Sequence, residues 1–475
     1  MAVFNSAQQA ALAQIKSFLG PAGWREPQQS SAQLEDPRGR FTGLASLIVL
    51  PDSTEQVTQV VACCHQANIA LVPHSGGTGV VAGQLSIDND AVIILSLKRM
   101  NRVRQLLRED AAIVVEAGCI LESVHEQAAQ AGFQFPLSMA SKGSCCIGGN
   151  LATNAGGIQV LRHGNARDLC LGIEAVLPDG SLLSELSPLR KNNTGYDLRH
   201  LLIGSEGTLG VITAATLALK PVEAETAVCF CALESPQHAV ALLHLFRRQL
   251  GENVSAIELM CGLGIELVNR HFPNLRSPFK QGHDWYLLLE VAGQAGVGQQ
   301  LERVLLGSLE QNQIADAVLA SSQTQAQALW QLRENTPEAN RLEGAICSSD
   351  TSVPISQIDQ FIHTTYLALR DIDPDLRVNS YGHIGDGNIH HNVFPPAGTT
   401  KQHYLEAHPG IIDTVRMAIN ESTHQCSGSI SAEHGIGRLK TEDLQHYQSP
   451  AKMSLMRAIK QAIDPHNIMN PGALL

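Results

Sequence analysis

Three glycine-rich clusters constrain this chain more than any other feature of it. The first, Pro73-His74-Ser75-Gly76-Gly77-Thr78-Gly79, with Gly83 shortly after, follows an apolar run. The second is Lys142-Gly143-Ser144-Cys145-Cys146-Ile147-Gly148-Gly149-Asn150-Leu151-Ala152-Thr153-Asn154-Ala155-Gly156-Gly157. The third is Gly204-Ser205-Glu206-Gly207-Thr208-Leu209-Gly210-Val211-Ile212-Thr213. Glycine lets backbone approach a ligand closely, and successive N–H groups can converge on one anion. One such loop is equally well a tight turn. Three between positions 73 and 213 are better explained by a long ligand lying across several loops. Its phosphates would take the first cluster and a flat ring the second. The first cluster is not a Walker A loop, because no Gly-Lys-Ser/Thr follows, and it lacks the G-x-G-x-x-G spacing of a nicotinamide site.

With 475 residues the chain is too long for one core, and two or three domains are expected. Residues 1–220 alternate short Val/Ile/Leu runs with Gly-centred turns. Strands are predicted at 47–50, 69–73, 91–96 and 112–117. A helix capped by Pro51-Asp52-Ser53-Thr54 should run through Ala67, with Glu55 at its positive end. Residues 221–425 change character: strands at 228–233 and 285–291 stand among long polar helices, such as 299–311 and 323–333. That spacing predicts an antiparallel sheet covered by helices on one face, so the class is α+β. A boundary falls near Pro221-Val222. Residues 426–475 hold one polar helix, Pro450 to Ile463, and a Pro/Asn-rich tail.

The formal net charge of −12 argues against nucleic acid or an anionic membrane surface as the main partner. Eleven cysteines occur with no CxxC, which reads as reduced thiols in a cytosol-like compartment. Met1 to Gly20 carries one Lys and no apolar run long enough for a signal peptide or membrane span. A soluble cytoplasmic protein is expected.

Two polar segments carry the chemistry. Gly382-His383-Ile384-Gly385-Asp386-Gly387-Asn388-Ile389-His390-His391-Asn392 holds three histidines around a turn, and Ser431-Ala432-Glu433-His434-Gly435 sets a carboxylate beside a fourth. Two imidazoles and a carboxylate suit a divalent metal and leave open positions, as in a catalytic site. His383 and His390 would face opposite ways on one continuous strand. The Gly385-Asp386-Gly387 turn removes that objection by folding the chain back, and Asp386 shapes the turn. Any one of these histidines is more simply read as hydrogen-bonded in a crowded turn; the constellation favours the metal. A structural zinc is disfavoured because no Cys pairs stand at ligand spacing. Neighbouring side chains diverge, so Glu433 can face the metal while His434 acts as a base.

The three clusters resemble the flavin-binding half of the vanillyl-alcohol-oxidase (PCMH-type) flavoproteins. The histidine segments look like the paired motifs of the D-2-hydroxyglutarate dehydrogenase and D-lactate dehydrogenase branch of the FAD-linked oxidases. Arg190-Lys191-Asn192-Asn193-Thr194-Gly195-Tyr196-Asp197-Leu198 and Asn467-Ile468-Met469-Asn470-Pro471-Gly472 match as well, and the resemblance covers roughly residues 36–475. It implies a two-subdomain FAD-binding domain, a substrate (cap) domain, and a C-terminal tail returning to the flavin. It implies non-covalent FAD. The pyrophosphate would lie on Ser75, Gly76, Gly77, Thr78 and Gly79, with Pro73 before them and Gly83 nearby. The isoalloxazine would be flanked by Pro136, Gly143, Ser144, Gly148, Gly149, Asn150, Thr153 and Asn154. The adenine half would lie near Gly210 and Ile212, and Asn470 would reach the flavin from the tail. His74 and Cys146 have the chemistry of covalent flavin attachment in related groups.

By the same resemblance His383, His390 and Glu433 bind a divalent cation, usually taken as zinc. His391 falls outside the pattern and would back a ligand or face solvent. Arg333 would grip the substrate carboxylate, its alternative being an ion pair with Glu334 or another neighbour. Asn392 would contact substrate, its alternative being a turn cap. His434 would take the hydroxyl proton of a D-2-hydroxy acid while hydride passes to FAD, leaving a 2-oxo acid. D-2-hydroxyglutarate enzymes of the branch grip the distal carboxylate with a Thr and a Lys; the aligned residues here are Pro337 and Ser348, with Thr336 one position off. Losing a buried Lys–carboxylate pair costs roughly 2–5 kcal/mol, so a monocarboxylate such as D-lactate, or a longer 2-hydroxy acid, gains ground. The electron acceptor is open between an electron-transfer flavoprotein, a quinone and other carriers, and a homodimer is among the open assemblies. The competing readings are a glycolate-oxidase-like flavoprotein subunit and a metal-dependent hydrolase.

Overall fold

The structure, a computed structural model, describes residues 4–475. The chain forms two compact units. The first holds the residues up to Gly156, then His163–Val222 and Glu433–Leu475; the second holds Gly157–Arg162 and Glu223–Ala432.

The first unit contains a four-stranded sheet in the order Trp24–Arg25, Leu47–Val49, Val92–Ser96, Ala70–His74, the last three parallel. Helix Thr54–Ala67 links two of these strands. It starts where the Ser53 hydroxyl accepts from the Gln56 amide, and ends at Asn68 in the left-handed region. Val57, Val60, Val61 and Cys64 recur at helical spacing and pack with Leu47, Leu71, Ile93 and Leu95. A five-stranded antiparallel sheet follows in the order Val103–Leu107, Ala112–Glu116, Val211–Ala218, Cys170–Val176, Leu182–Glu185. The C-terminal tail returns to the first sheet: Leu71 N–H donates to Ile468 O and Asn470 N–H to Leu71 O, each 2.7 Å. The first glycine cluster leaves the end of Ala70–His74, and the third runs into Val211–Ala218. Strand ends therefore bring both to one place.

The second unit is built on an eight-stranded antiparallel sheet. Its order is Asp316–Leu319, Glu225–Leu233, Trp285–Gly293, Val254–Cys261, Arg377–His383, Asn388–Phe394, Cys347–Ser348, with Thr351–Ser352 also on Asn388–Phe394. Helices cover both faces, not one. Cys229, Ile257, Leu259 and Leu287 pack against Pro236–Leu250, Val297–Glu310 and Ile358–Ile372. Phe230, Met260, Tyr286 and Leu288 pack against Gly262–His271 and Gln323–Glu334. The reason is in the strands: Val254–Cys261 is buried at every residue, so one helical layer would leave half of its side chains in water.

Helix Thr336–Glu343 ends in a carboxylate that accepts from Arg377 Nη1 at 2.7 Å, Arg270 Nη1 at 2.9 Å and His271 Nε2 at 3.0 Å. Burial alone would raise the Glu343 carboxyl, but hydrogen bonds from Arg377, His271 and Arg270, with the charge of Arg270, outweigh it and hold it down to about 2, from an ordinary 4.5. A depressed folded-state value means stability that is present above the unfolded value and lost as pH falls through the folded one. The thermal midpoint of the wild type should therefore exceed that of Glu343→Gln at neutral pH. The gap should close between pH 4.5 and about 2; a gap that persists at the acid end would refute the assignment.

None of the eleven cysteines is in a disulfide, and all but Cys347 are buried. No helix among the described residues is long and apolar enough to cross a membrane.

Candidate active site

A cavity of about 400 Å³ opens in the first unit, within the size range of cofactor pockets. All three glycine clusters wall it: Pro73, Ser75, Gly76, Gly77, Thr78, Gly79 and Gly83 from the first, Gly148, Gly149, Asn150 and Thr153 from the second, Gly210 and Ile212 from the third. Glu433 and His434 line it too. Pro136, Gly143, Ser144, Asn154 and Asn470 are not among the wall residues. Ser144 stands behind the wall: a Cβ on Gly76 would lie 2.6 Å from its carbonyl oxygen, so only glycine lets the two loops meet. Asn154 Oδ1 accepts from the Arg167 amide at 3.0 Å. Asn470 Nδ2 donates to Gly83 O at 2.9 Å and Glu206 O at 2.8 Å, tying the tail to the first and third clusters. Burial, reinforced by Cys145, pushes the Cys146 thiol up to about 11. So little thiolate at neutral pH makes it a poor nucleophile, which suits a cofactor held without a covalent bond.

In the second unit Arg377–His383 and Asn388–Phe394 form a hairpin in which Tyr381 pairs with His390 and His383 with Asn388. The turn folds the chain back: Asp386 Oδ1 accepts from the Asn388 amide, and Gly387 (φ +84°) presses against Val353 O, which a Cβ would meet at 2.0 Å. The two-residue period sets Tyr381, His383, His390 and Asn392 on one face. The rings of His383 and His390 lie 6.2 Å apart, centre to centre.

Glu258, on the next strand, pairs in register with His383 and is fully buried. One carboxylate oxygen meets His383 Nδ1 at 2.5 Å and the other Arg333 Nε at 2.6 Å. Burial favours the neutral acid, but His383 and Arg333 together hold the carboxyl down to about 2. An ionised carboxylate only accepts, so His383 Nδ1 carries a proton. His390 Nδ1 meets Ser349 O at 3.1 Å, and a carbonyl likewise only accepts. In both rings Nε2 is therefore the nitrogen that could ligate a cation. A metal-binding imidazole is commonly oriented in this way by an oxygen behind it.

Arg333 is buried in helix Gln323–Glu334, its guanidinium 4.6 Å over the Tyr381 ring. Its ion pair is with Glu258, not with Glu334. Asn392 sits mid-strand opposite Asn379 and Ser348, so it caps no turn. It is buried, and its Nδ2 has no hydrogen-bond partner among the described residues. His391 points to the other face of the sheet. It is buried, with Nδ1 2.7 Å from Ser380 Oγ and its ring edge-on to Phe361, so it does not face solvent. Thr336 spends its hydroxyl on Leu332 O of its own helix, while Pro337 and Ser348 are exposed.

Residues 426–432 pack with the second unit. Ser352 and Ser429 exchange backbone hydrogen bonds, and the Ala432 amide donates to Asp350 O at 3.2 Å. Asp350 follows Ser349, the residue that backs His390. Glu433 is one peptide bond beyond Ala432, and from there the chain enters the cavity wall.

Residues 222–474 match the family described as FAD linked oxidases, C-terminal domain, and residues 45–184 match the FAD binding domain. The chain belongs to the FAD-linked oxidases. D-2-hydroxyglutarate dehydrogenase, mitochondrial, of Arabidopsis thaliana is 34% identical over 476 residues, covering 100% of this chain and 83% of the relative. D-2-hydroxyglutarate dehydrogenase of Xanthomonas citri pv. viticola is 38% identical over 436 residues, covering 92% and 90%. These relatives put the chain in the D-2-hydroxyglutarate dehydrogenase and D-lactate dehydrogenase branch. A structure of p-cresol methylhydroxylase with substrate bound superposes with a TM-score of 0.75 at 16% identity, covering 99% of this chain and 97% of that one. At that identity the likeness is one of fold, the PCMH-type flavoprotein architecture.

This FAD-linked oxidase is an FAD-dependent oxidoreductase. Two of its site residues escape a reading of the sequence. Glu258 is an isolated acid in the run Val-Ser-Ala-Ile-Glu-Leu-Met-Cys, and a charge inside a fully buried strand was the available signal. Glu206 lies in the third glycine cluster, lines the cavity, and has φ +53°, a conformation costly for a residue with a Cβ.

Proposed function

We propose that this FAD-linked oxidase oxidises a D-2-hydroxy acid to the 2-oxo acid with FAD and a divalent cation, zinc by the donor set. The observation that carries the reading is the pair of imidazoles, His383 and His390, each turned by an oxygen acceptor so that Nε2 is the ligand atom. Bound FAD would supply the two-electron acceptor and the bound cation a Lewis acid. His383 and His390 hold the cation through Nε2, and Glu433 adds the anionic ligand. The glycine clusters, with Asn470 bracing two of them, hold FAD. Arg333 receives the substrate carboxylate on its planar guanidinium. Asn392 donates its buried Nδ2–H to a substrate oxygen. A ring nitrogen of His434 takes the hydroxyl proton, while the α-hydrogen leaves with its electron pair.

The purified protein should be yellow and should bleach anaerobically with a D- but not an L-2-hydroxy acid, and chelation should abolish the bleaching. Bleaching that survives chelation would remove the cation from the reaction. A colourless zinc protein would point to a hydrolase, and a flavin that no D-2-hydroxy acid reduces would point to an idle flavoprotein subunit. Reoxidation of the bleached protein by an electron-transfer flavoprotein or by a quinone would identify the acceptor.

The distal end of the substrate is read from Ser348, which pairs with Asn392 across the sheet, and from Pro337; neither side chain carries a charge. Preference for a substrate without a distal carboxylate, such as D-lactate, follows. Ser348→Lys should then raise kcat/KM for D-2-hydroxyglutarate about tenfold and leave that for D-lactate unchanged. An equal change for both substrates would show that the position does not read the distal group.

A further inference from the structure

The segment after His434 has no regular secondary structure, and glycines in the left-handed region stand on both sides of Ile436: Gly435 at φ +80° and Gly437 at φ +54°. No sheet ladder fixes its backbone, so its amides need other acceptors. One side chain supplies two of them. Glu206 Oε1 accepts from the Ile436 amide at 2.8 Å, and Oε2 from the Gly437 amide at 2.7 Å. Burial raises the Glu206 carboxyl above its ordinary value, and the two amide N–H bonds oppose that by favouring the carboxylate. The arrangement is an anion seated in a nest of successive backbone N–H groups, with the protein's own carboxylate as the anion.

Glu206 is also where the cavity wall is joined. Its amide donates to Ala152 O of the second cluster at 2.8 Å. Its carbonyl accepts from Asn470 Nδ2, which also holds Gly83 of the first. Arg438, next after Gly437, donates its amide to Val81 O and Nη2 to Asn470 Oδ1. A left-handed backbone at a non-glycine residue persists only where its surroundings demand it.

We infer that Glu206 is the positioning residue for His434: its carboxylate pins the amides of Ile436 and Gly437, and so fixes the backbone that aims the His434 ring into the cavity. This rests on the reading of His434 as the base. Proton transfer is sensitive to small errors of placement, and a misplacement of about 1 Å can cost a hundredfold in rate.

The test is Glu206→Gln in the FAD-loaded protein. Glutamine can accept from one amide but turns its NH₂ toward the other. Hydrogen–deuterium exchange of peptides spanning residues 433–440 should quicken about 10- to 100-fold. Anaerobic flavin reduction, driven by the best reductant among D-lactate, D-malate and D-2-hydroxyglutarate, should slow about 10- to 100-fold at saturation. The half-saturating concentration should stay within about threefold and FAD should remain fully bound. A merely structural role would instead lower FAD content and stability and leave the rate per bound flavin unchanged. Unchanged exchange, or an unchanged rate per flavin, overturns the proposal. If Glu206→Gln does not fold, Gly435→Ala serves: its Cβ would lie 2.8 Å from Glu206 Oε1 and should produce the same pattern. If His434→Ala reduces flavin at the wild-type rate, the base reading fails by itself, and the exchange data still decide whether Glu206 holds the segment.

Discussion

His434→Ala should slow anaerobic flavin reduction by a D-2-hydroxy acid about 10²- to 10⁴-fold, the usual worth of a positioned base. The hydroxyl proton must leave as the carbonyl forms, and water is a far weaker base at neutral pH. Arg333, Asn392, His383, His390 and Glu433 are untouched by the change, so substrate affinity, metal content and FAD content should hold. Dithionite should reduce the variant's flavin as fast as the wild type's, which separates a lost base from a damaged cofactor site. Imidazole in the buffer should restore part of the rate. A loss smaller than about tenfold, with FAD and metal in place, would remove His434 from the role.

Glu258→Ala should have the largest effect on the protein itself. It would leave the guanidinium of Arg333 and the Nδ1–H of His383 without their buried acceptor. Breaking a buried charge pair from one side costs roughly 3–5 kcal/mol, a large share of a typical folding free energy. Removing the oxygen that orients a ligating imidazole typically weakens metal binding about 10- to 100-fold. Urea unfolding and metal analysis of the dialysed protein measure the two effects separately. Glu258→Gln keeps the volume and one acceptor, so it should recover much of the stability but not the metal affinity. Glu334→Ala, at the exposed end of the helix that carries Arg333, should stay within about 0.5 kcal/mol of wild type. Wild-type stability and metal content in Glu258→Ala would show that Glu258 does not support this site.

The elements of both units were largely legible in the chain. Thr54–Ala67 begins at the serine that caps it and repeats its apolar residues at helical spacing. The strands Val92–Ser96 and Ala112–Glu116 are short apolar runs between turn signals. The Gly385-Asp386-Gly387 turn sets His383 and His390 on one face because two-residue alternation restarts after the reversal. The number of helical layers was harder to read. Val254–Cys261 mixes serine and glutamate into an apolar run, so its burial on both faces is visible only once helices are seen on each side.

The sequence by itself determined the family and its cofactor chemistry, through glycine clusters suited to a long cofactor; it also set out two histidines and a carboxylate, the donor set proposed for a cation, with a histidine beside it. These are short local patterns, and local patterns survive in a linear reading. Only the tertiary structure decided what holds them. Glu258 stands 75 residues from Arg333 and 125 from His383, and Glu206 stands 230 from Ile436. A buried charge must find its partners wherever the sheet and the loops bring them, and register across strands, not distance along the chain, chooses which they are.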